Sequence, residues 1–269
     1  GYPFQIVGFS GTGKSSMAVH LAVHWAIGQS PWGLKPVRPL RVLMVQAEND
    51  LGDASEAMVG ATVKLTEKDK ETLKQNLIFV RQAKKVGFAF VEYIGQMVVK
   101  HAIDLVIVDP LLAYADFDIA SQPETTAFLR GPGGVFEMLQ RTKAALLYMH
   151  HTTKPKSADD LDLMTPQQLA YLGAGCAEWV NFARDSGYLF RTSKNTSDGR
   201  AVYRFGFSKR QFRAGLRGED GNYAKAGHLH LCHAEGGTIR WEYAPPTSDD
   251  LQKGDYSPAK GSPRRPQSM

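Results

Sequence analysis

The sequence predicts an α/β fold: a mostly parallel central sheet with helices on both faces, extended by C-terminal antiparallel strands. Short, continuously apolar runs alternate with helical patterns up to about residue 151, as expected for strands that are buried on both faces. From residue 186 onward, alternating runs separated by Gly, Asp and Asn are typical of antiparallel hairpins. The motif GFSGTGKS (8–15), between the first strand and the first helix, identifies the nucleotide-binding variety of this fold.

The first half of the chain alternates strands with helices. An apolar run ends at Gly8 and a helical pattern follows from Lys14 to Ile27, where Gly28 and then Pro31 stop it. Further along, periodicity predicts strands at 41–47, 77–80, 104–109 and 144–151, and helices at 50–74, 88–101 and within 125–143, the last interrupted near Gly131 and Pro132.

The last third of the chain is predicted to hold four antiparallel strands, at 186–194, 201–209, 228–233 and 238–244. In the third, His228, His230 and Cys232 alternate onto one face, and such residues can bind zinc. With no second ligand cluster nearby in sequence, we interpret this run as a solvent-facing hairpin strand. We predict one ATPase domain over residues 1–244 and, because Pro, Ser and charged residues dominate thereafter, a disordered tail over 245–269.

Composition narrows the class of protein. The chain has 43% hydrophobic and 22% charged residues, which is ordinary for a globular protein. Its two cysteines, far apart in sequence, do not form a disulfide framework. Since no apolar run approaches the ~20 residues that span a bilayer and no signal peptide is visible, we expect a cytoplasmic protein with no membrane partner. The net charge of +5 suits a polyanionic partner without identifying one.

The stretch GFSGTGKS matches the pattern G-x-x-x-x-G-K-[ST] at every fixed position. Glycines let the backbone N–H groups wrap a triphosphate closely, and the helix that follows directs its positive end at the phosphates. Lys14 is predicted to reach the β- and γ-phosphates and Ser15 to bind Mg²⁺. The expected ligands are ATP and Mg²⁺, and the predicted nucleotide-binding residues are Gly8, Gly11, Thr12, Gly13, Lys14, Ser15 and Ser16.

Polar residues at three other strand ends complete the predicted site, because ligands of parallel sheets gather at the carboxyl ends of strands. Asp109, after the apolar run 105–108, is placed as a Walker B aspartate that holds Mg²⁺. Glu48 is either the base that polarises the attacking water or an acidic residue at a helix start. His150 and His151 end another strand, where one of them can respond to the γ-phosphate; adjacent strand residues point to opposite faces.

The segments GFSGTGKS, VLMVQAEND, LVIVDPLLAY, LLYMHHTTKP and GAGCAEWVNFARDSGYL occur in this order. Together they resemble the RecA-like P-loop NTPase core of RepA-type hexameric replicative helicases, including phage and plasmid relatives. The chain resembles the RecA-like core of that family over residues 4–215. The resemblance implies a ring-forming homo-oligomer, a hexamer, that hydrolyses ATP and moves on single-stranded DNA. It also implies a bacterial, phage- or plasmid-encoded protein whose primase or loader module would lie outside this chain.

The resemblance also implies individual roles. Glu48 corresponds to the catalytic glutamate, Asp109 to the Walker B residue, and His150 or its neighbour His151 to the γ-phosphate sensor, with His150 taken as the catalytic candidate. Arg184 lies where such helicases place an arginine finger that reaches a neighbour's ATP, and further trans-acting basic residues correspond to Lys209, Arg210 and Arg213. Pro110 stands where the family often has a second acidic residue.

Two long segments, 113–134 and 152–175, are expected to face a central channel. Their basic residues Arg130, Lys154 and Lys156 are candidates for contacts with the phosphates of single-stranded DNA, although Asp159, Asp160 and Asp162 oppose such contacts in the second segment.

The sequence is therefore compatible with three functions. The first is an ATP-driven motor on single-stranded DNA. The second is a non-motor switch or loader that binds ATP, assembles on DNA and hydrolyses ATP weakly. The third is a small-molecule kinase, which is disfavoured because Glu48 ends a strand and the C-terminal hairpins lack an arginine-rich lid.

Overall fold

In the computed structural model, residues 2–48, 51–82, 84–152, 158–208, 214–224 and 227–245 are described. They form a nine-stranded sheet with the order β3-β2-β4-β5-β1-β6-β7-β8-β9. The strands are β1 (Pro3–Gly8), β2 (Val42–Gln46), β3 (Leu77–Arg81), β4 (Leu105–Asp109), β5 (Ala145–His151), β6 (Asp185–Asn195), β7 (Ala201–Phe207), β8 (His228–His233) and β9 (Trp241–Tyr243). This architecture confirms the predicted fold class.

The described helices are α1 (Lys14–Ala26), α2 (Leu51–Thr62), α3 (Glu67–Asn76), α4 (Gly87–His101), α5 (Gln122–Arg130), α6 (Val135–Thr142), α7 (Ala158–Leu163), α8 (Pro166–Ala170) and α9 (Glu178–Phe182). Apolar side chains of α1 and α2 pack on one face of the sheet, and those of α4, α5, α6 and α9 pack on the other. The parallel strands are buried on both faces, which explains their continuous apolar runs.

The predicted helix over 50–74 is two helices in the structure. α2 ends at Thr62 and α3 starts after Thr66, whose hydroxyl accepts a hydrogen bond from the Asp69 N–H while the Asp69 carboxylate accepts one from the Thr66 N–H. This capping box satisfies backbone donors at the start of α3 and therefore starts a new helix where hydrophobic periodicity alone indicated continuity.

The C-terminal strands extend the sheet beyond β1. The first of them, β6, was predicted as an antiparallel strand but pairs in parallel with β1 and antiparallel only with β7. The remaining pairs, β7 with β8 and β8 with β9, are antiparallel as predicted. The sheet curls so far that Trp241 of β9 joins the same buried cluster as α1, which brings the end of the described chain back to its beginning.

No helix in the described ranges is both long enough and apolar enough to cross a membrane. Nor do these ranges hold a group of three or more His, Cys, Asp or Glu side chains that could bind a metal ion by themselves. The predicted disordered tail falls almost wholly outside the described residues, which end at Pro245.

Candidate functional site

The loop between β1 and α1 has the backbone of a phosphate-binding turn. Gly11 and Gly13 adopt φ values of 77° and 81°, which side chains with a Cβ rarely tolerate. The Thr12 N–H and hydroxyl both donate to the Phe9 carbonyl, at 3.3 and 2.8 Å, and this closes the turn. A Cβ on Gly8 would lie 2.4 Å from the Leu189 carbonyl oxygen of β6, so only glycine fits there.

Lys14 directs its ammonium group back into this loop. Its Nζ donates to the Phe9 carbonyl at 2.7 Å and lies 3.3 Å from Nδ1 of His151. The residue is only 4% exposed, and burial lowers the pKa of Lys14 to about 8, against the opposing attraction of Asp109 and Glu48. The group is thus placed to exchange its contact with Phe9 for the oxygens of a bound triphosphate.

Asp109 ends β4 directly beside the first turn of α1. Its Oδ2 accepts a hydrogen bond of 3.1 Å from Nε2 of Gln46, and its carboxylate also bonds the Ser15 hydroxyl. With 4% exposure, the carboxyl has its pKa raised by burial, although both hydrogen bonds and the charge of Lys14 oppose the rise. A buried carboxylate beside a serine hydroxyl is an oxygen donor set that fits Mg²⁺.

Gln46 was not singled out by sequence analysis. It ends β2 and pairs in register with Asp109, and its Oε1 has no hydrogen-bond partner in the described part of the chain. A polar residue at the end of a buried strand was the sequence signal for Gln46, because its amide lies beside the side chains at the carboxyl ends of the neighbouring strands.

Glu48 and His151 form the outer part of the site. Oε2 of Glu48 lies 3.5 Å from Nε2 of His151, and the other ring nitrogen of that histidine faces Lys14. Burial, followed by the positive charge of Lys14, lowers the pKa of His151. The Glu48 side chain is 57% exposed, so it can meet water while it stays next to the phosphate loop. The structure therefore brings together Lys14, Ser15, Glu48, Asp109 and His151.

His150 does not reach this cluster. Its side chain points to the opposite face of β5, where Nε2 lies 3.0 Å from the carbonyl of Ala174 and the ring packs near Trp179. It is fully buried, and burial lowers its pKa to about 4. Of the two histidines, His151 is the one that faces Lys14, so the geometry favours His151 over His150 as the residue that can respond to a phosphate.

The predicted trans-acting arginine lies far from this cluster. Arg184 precedes β6 at the amino end of the sheet, where its N–H donates to the Pro3 carbonyl at 2.8 Å and its guanidinium lies 5.8 Å from the Tyr2 ring centroid. Within the described ranges it forms no ion pair with a carboxylate. The length of β1, six residues at about 3.3 Å each, places it roughly 16 Å or more from the phosphate loop of its own subunit.

The candidates for DNA contacts have mixed outcomes. The Arg130 guanidinium forms an ion pair with Glu178, donates to the Asn181 carbonyl at 3.1 Å and lies over the Phe182 ring. These contacts tie α5 to α9 and occupy the charge that was expected for DNA. The remaining basic candidates lie outside the described residues: Lys154, Lys156, Lys209, Arg210 and Arg213.

Trp241 is a second residue that sequence analysis did not connect with the site. Its indole N–H donates to Oγ of Ser16 at 3.1 Å, and a Cβ on Gly13 would lie 2.8 Å from its ring. A tryptophan more than two hundred positions along the chain carries no sequence signal for this contact, which arises only because the sheet curls around α1.

The cluster can hold a nucleoside triphosphate with its magnesium ion: glycine backbone and Lys14 for the phosphates, Ser15 and Asp109 for the metal, and Glu48 for water. Comparison with known proteins agrees with this chemistry. No curated protein matches the chain significantly, but the profile of the AAA_25 family, described as an AAA domain, matches residues 1–157, more than half of its length. The chain therefore belongs to the AAA_25 family of P-loop ATPases.

Proposed function

We propose that this ATPase is a RecA-like motor of the replicative helicase type, which assembles into a ring, a hexamer, and moves on single-stranded DNA. The observation that carries the proposal is the position of Arg184. It lies at the end of the sheet opposite the phosphate loop, too far to touch a nucleotide in its own subunit. An arginine finger at that position acts only on a neighbour, which requires head-to-tail assembly of subunits.

Within one subunit, the site residues divide the work of hydrolysis. Lys14 and the loop amides bind and orient the phosphates, and Glu48 accepts the proton of the attacking water. Ser15 and Asp109 would hold magnesium, which would supply positive charge beside the phosphate oxygens. The exposed carboxylate of Glu48 beside a buried ammonium supports this assignment, since the base must meet water and the phosphate-binding group must not.

The histidine pair supports a link from hydrolysis to movement. His151 contacts the cluster, while the adjacent His150 packs against the segment that follows β5: a Cβ on Gly173 would lie 2.5 Å from its ring. Thr152 also pairs with Gly173. A shift of His151 on loss of the γ-phosphate would therefore displace His150 and Gly173, which lies in the segment 152–175 that is expected to face the channel.

The test is to measure ATP hydrolysis with and without single-stranded DNA, and to image particles with a non-hydrolysable ATP analogue and an oligonucleotide. The proposal expects ring-shaped particles and hydrolysis that rises several-fold when single strands are added. Monomers under all conditions, or hydrolysis indifferent to DNA, would contradict it.

A non-motor switch or loader remains the second candidate because Arg130 is already engaged by Glu178 and Asp160 is exposed on α7. Both features weaken the expected electrostatic attraction to DNA phosphates. Assembly on DNA with no displacement of an annealed strand would favour the switch over the motor.

A further inference from the structure

A cavity of about 860 Å³ lies between α1 and the C-terminal strand β9, outside the cluster that would hold the phosphates. Its lining includes His20 and His24 of α1, Trp32, and Arg240, Trp241 and Glu242 at the C-terminal end of the sheet. Cavities that bind small molecules commonly have volumes of roughly 300–1,000 Å³. The size therefore suits a ligand as large as a nucleoside.

Trp241 connects the cavity with the phosphate loop. Trp241 forms part of its wall and also contacts Gly13 and Ser16. Ser16, His20 and His24 are spaced by four residues along α1, so they follow one face of the helix, from the phosphate-binding end toward the far end of the cavity. A molecule whose phosphates occupy the loop can thus extend its other end along this face.

His20 is a hydrogen-bonding residue in the wall of the cavity. Its side chain is 6% exposed. Burial holds the pKa of His20 well below its usual value, so the ring is neutral, with one donor and one acceptor nitrogen. A neutral ring of this kind can pair with the uncharged polar groups of a nucleoside.

Trp32 holds the His20 ring in place. The two rings stack with centroids 5.0 Å apart and 16° between their planes. Trp32 adopts a positive φ of 52°, which is rare for a bulky side chain. Strained backbone of this kind is commonly found at ligand sites. At the opposite wall, Arg240 donates to Glu242 at 2.9 Å, and its remaining N–H groups add polar contacts at the cavity rim.

We propose that this cavity binds the base and ribose of the nucleotide, with His20 as a specificity-determining residue that hydrogen-bonds the nucleoside and Trp241 as the wall that joins the cavity to the phosphate loop. The inference rests on the proposed binding of a triphosphate at Lys14. The phosphates are recognised by the loop whatever they are attached to, whereas the nucleoside is recognised here.

The experiment compares calorimetric binding of ATP and of inorganic tripolyphosphate, both with Mg²⁺, to the full chain. The variant is His20→Phe, which keeps an aromatic ring against Trp32 but removes both nitrogens. Wild-type protein is expected to bind ATP at least about tenfold more tightly than tripolyphosphate, since the nucleoside adds buried contacts. In His20→Phe the Kd for ATP should rise roughly three- to tenfold, while the Kd for tripolyphosphate stays unchanged.

The control is His101→Phe at the end of α4, outside the cavity, which should bind both ligands as wild type does. Unchanged tripolyphosphate affinity in His20→Phe also shows that the variant is folded. Equal affinities of the wild type for the two ligands, or a His20→Phe variant that binds ATP normally or weakens both ligands alike, would overturn the cavity assignment and leave the phosphate site standing. If wild-type protein binds neither ligand, the proposed function itself fails.

Discussion

The two ends of β1 differ in whether the charged side chains beside them have polar partners within the same subunit. At the carboxyl end, Lys14 contacts Phe9 and His151, and Asp109 contacts Ser15 and Gln46, so that charged groups are buried among their own partners. At the amino end, the described contact of the Arg184 guanidinium is the face of the Tyr2 ring. One end is assembled within the subunit, and the other presents a cation whose partner is not within the described part of this chain.

This difference explains why a single subunit can bind nucleotide but, under our proposal, cannot hydrolyse it efficiently. Burying Lys14 and Asp109 is tolerable because each has hydrogen-bond partners that stay in place before a ligand arrives. Arg184 lies beside an apolar pocket of about 340 Å³ lined by residues that include Tyr2, Phe4 and Phe207. A cation beside apolar surface is a combination often found at subunit contacts.

The largest expected effect is on Arg184, and it tests directly whether the two ends act in different subunits. Arg184→Ala alone should lower ATP turnover by about a thousandfold or more, as expected for loss of an arginine finger. Lys14→Ala alone should be equally inactive because its loop no longer holds the phosphates. Mixing the two inactive variants before nucleotide is added should restore activity, measured as phosphate release.

Restoration follows from ring geometry. A subunit with Arg184→Ala keeps an intact phosphate loop and can receive the arginine of a neighbouring Lys14→Ala subunit; about a quarter of the interfaces in a random head-to-tail ring meet this condition. A matched control mixes Lys14→Ala with the double variant Lys14→Ala/Arg184→Ala, which has no intact loop and should stay inactive. Failure of the first mixture to recover, when wild type and variants assemble alike, would show that Arg184 does not act on a neighbour's nucleotide.

The next effect in size concerns Glu48, which lies at the carboxyl end but is more exposed than its neighbours. Glu48→Gln should reduce turnover by roughly a hundred- to ten-thousandfold, because the amide cannot take a proton from water. Binding of ATP should persist, since Lys14 and the loop are unchanged. Single-turnover hydrolysis measures the chemical step, and calorimetry measures the affinity for ATP, so the two effects can be separated.

Glu56→Gln is the control for that experiment, because Glu56 is an exposed carboxylate on the neighbouring α2. The Glu56→Gln variant should hydrolyse ATP at the wild-type rate. If Glu48→Gln keeps normal turnover, Glu48 is only an acidic residue near a helix start. That was the other interpretation of its position in sequence.

Much of the fold could be predicted because each buried parallel strand is a short, continuously apolar run in the sequence. Leu105–Asp109 and Ala145–His151 are buried runs with little alternative. The break between α2 and α3 was missed because it depends on a reciprocal cap at Thr66 and Asp69 rather than on periodicity. The parallel pairing of β6 with β1 was missed because strand direction depends on the path of the chain before it, which alternation does not encode.

The candidate site divides in the same way. Residues adjacent to a motif or a strand end, such as Lys14 and Asp109, could be assigned because parallel strands align their carboxyl ends. The histidine that faces the phosphate loop could not be assigned from sequence, because the orientation of the pleat of β5 is set by its neighbouring strands. The structure favours His151. Trp241 could not be found at all, because its contact with Ser16 depends on the curl of the whole sheet.

The smallest expected effect is a pH dependence of nucleotide affinity that belongs to the carboxyl end alone. With a pKa of about 8 in the free protein, Lys14 loses its charge as the pH rises through that value, and ATP must then bind the minor protonated form. At pH 9 roughly a tenth of the lysine remains charged, so the Kd for ATP should be about tenfold higher than at pH 7. Calorimetry across this range measures the change.

Neither the ATP phosphates nor His151 changes charge over that range. A phosphate group completes its second ionisation near pH 6, and His151 is already neutral because its pKa is lowered. The matched control is Lys14→Arg, in which the guanidinium stays charged at every pH tested. Its affinity for ATP, even if weaker overall, should not change between pH 7 and 9. An equally steep loss in Lys14→Arg would assign the titration to a different group.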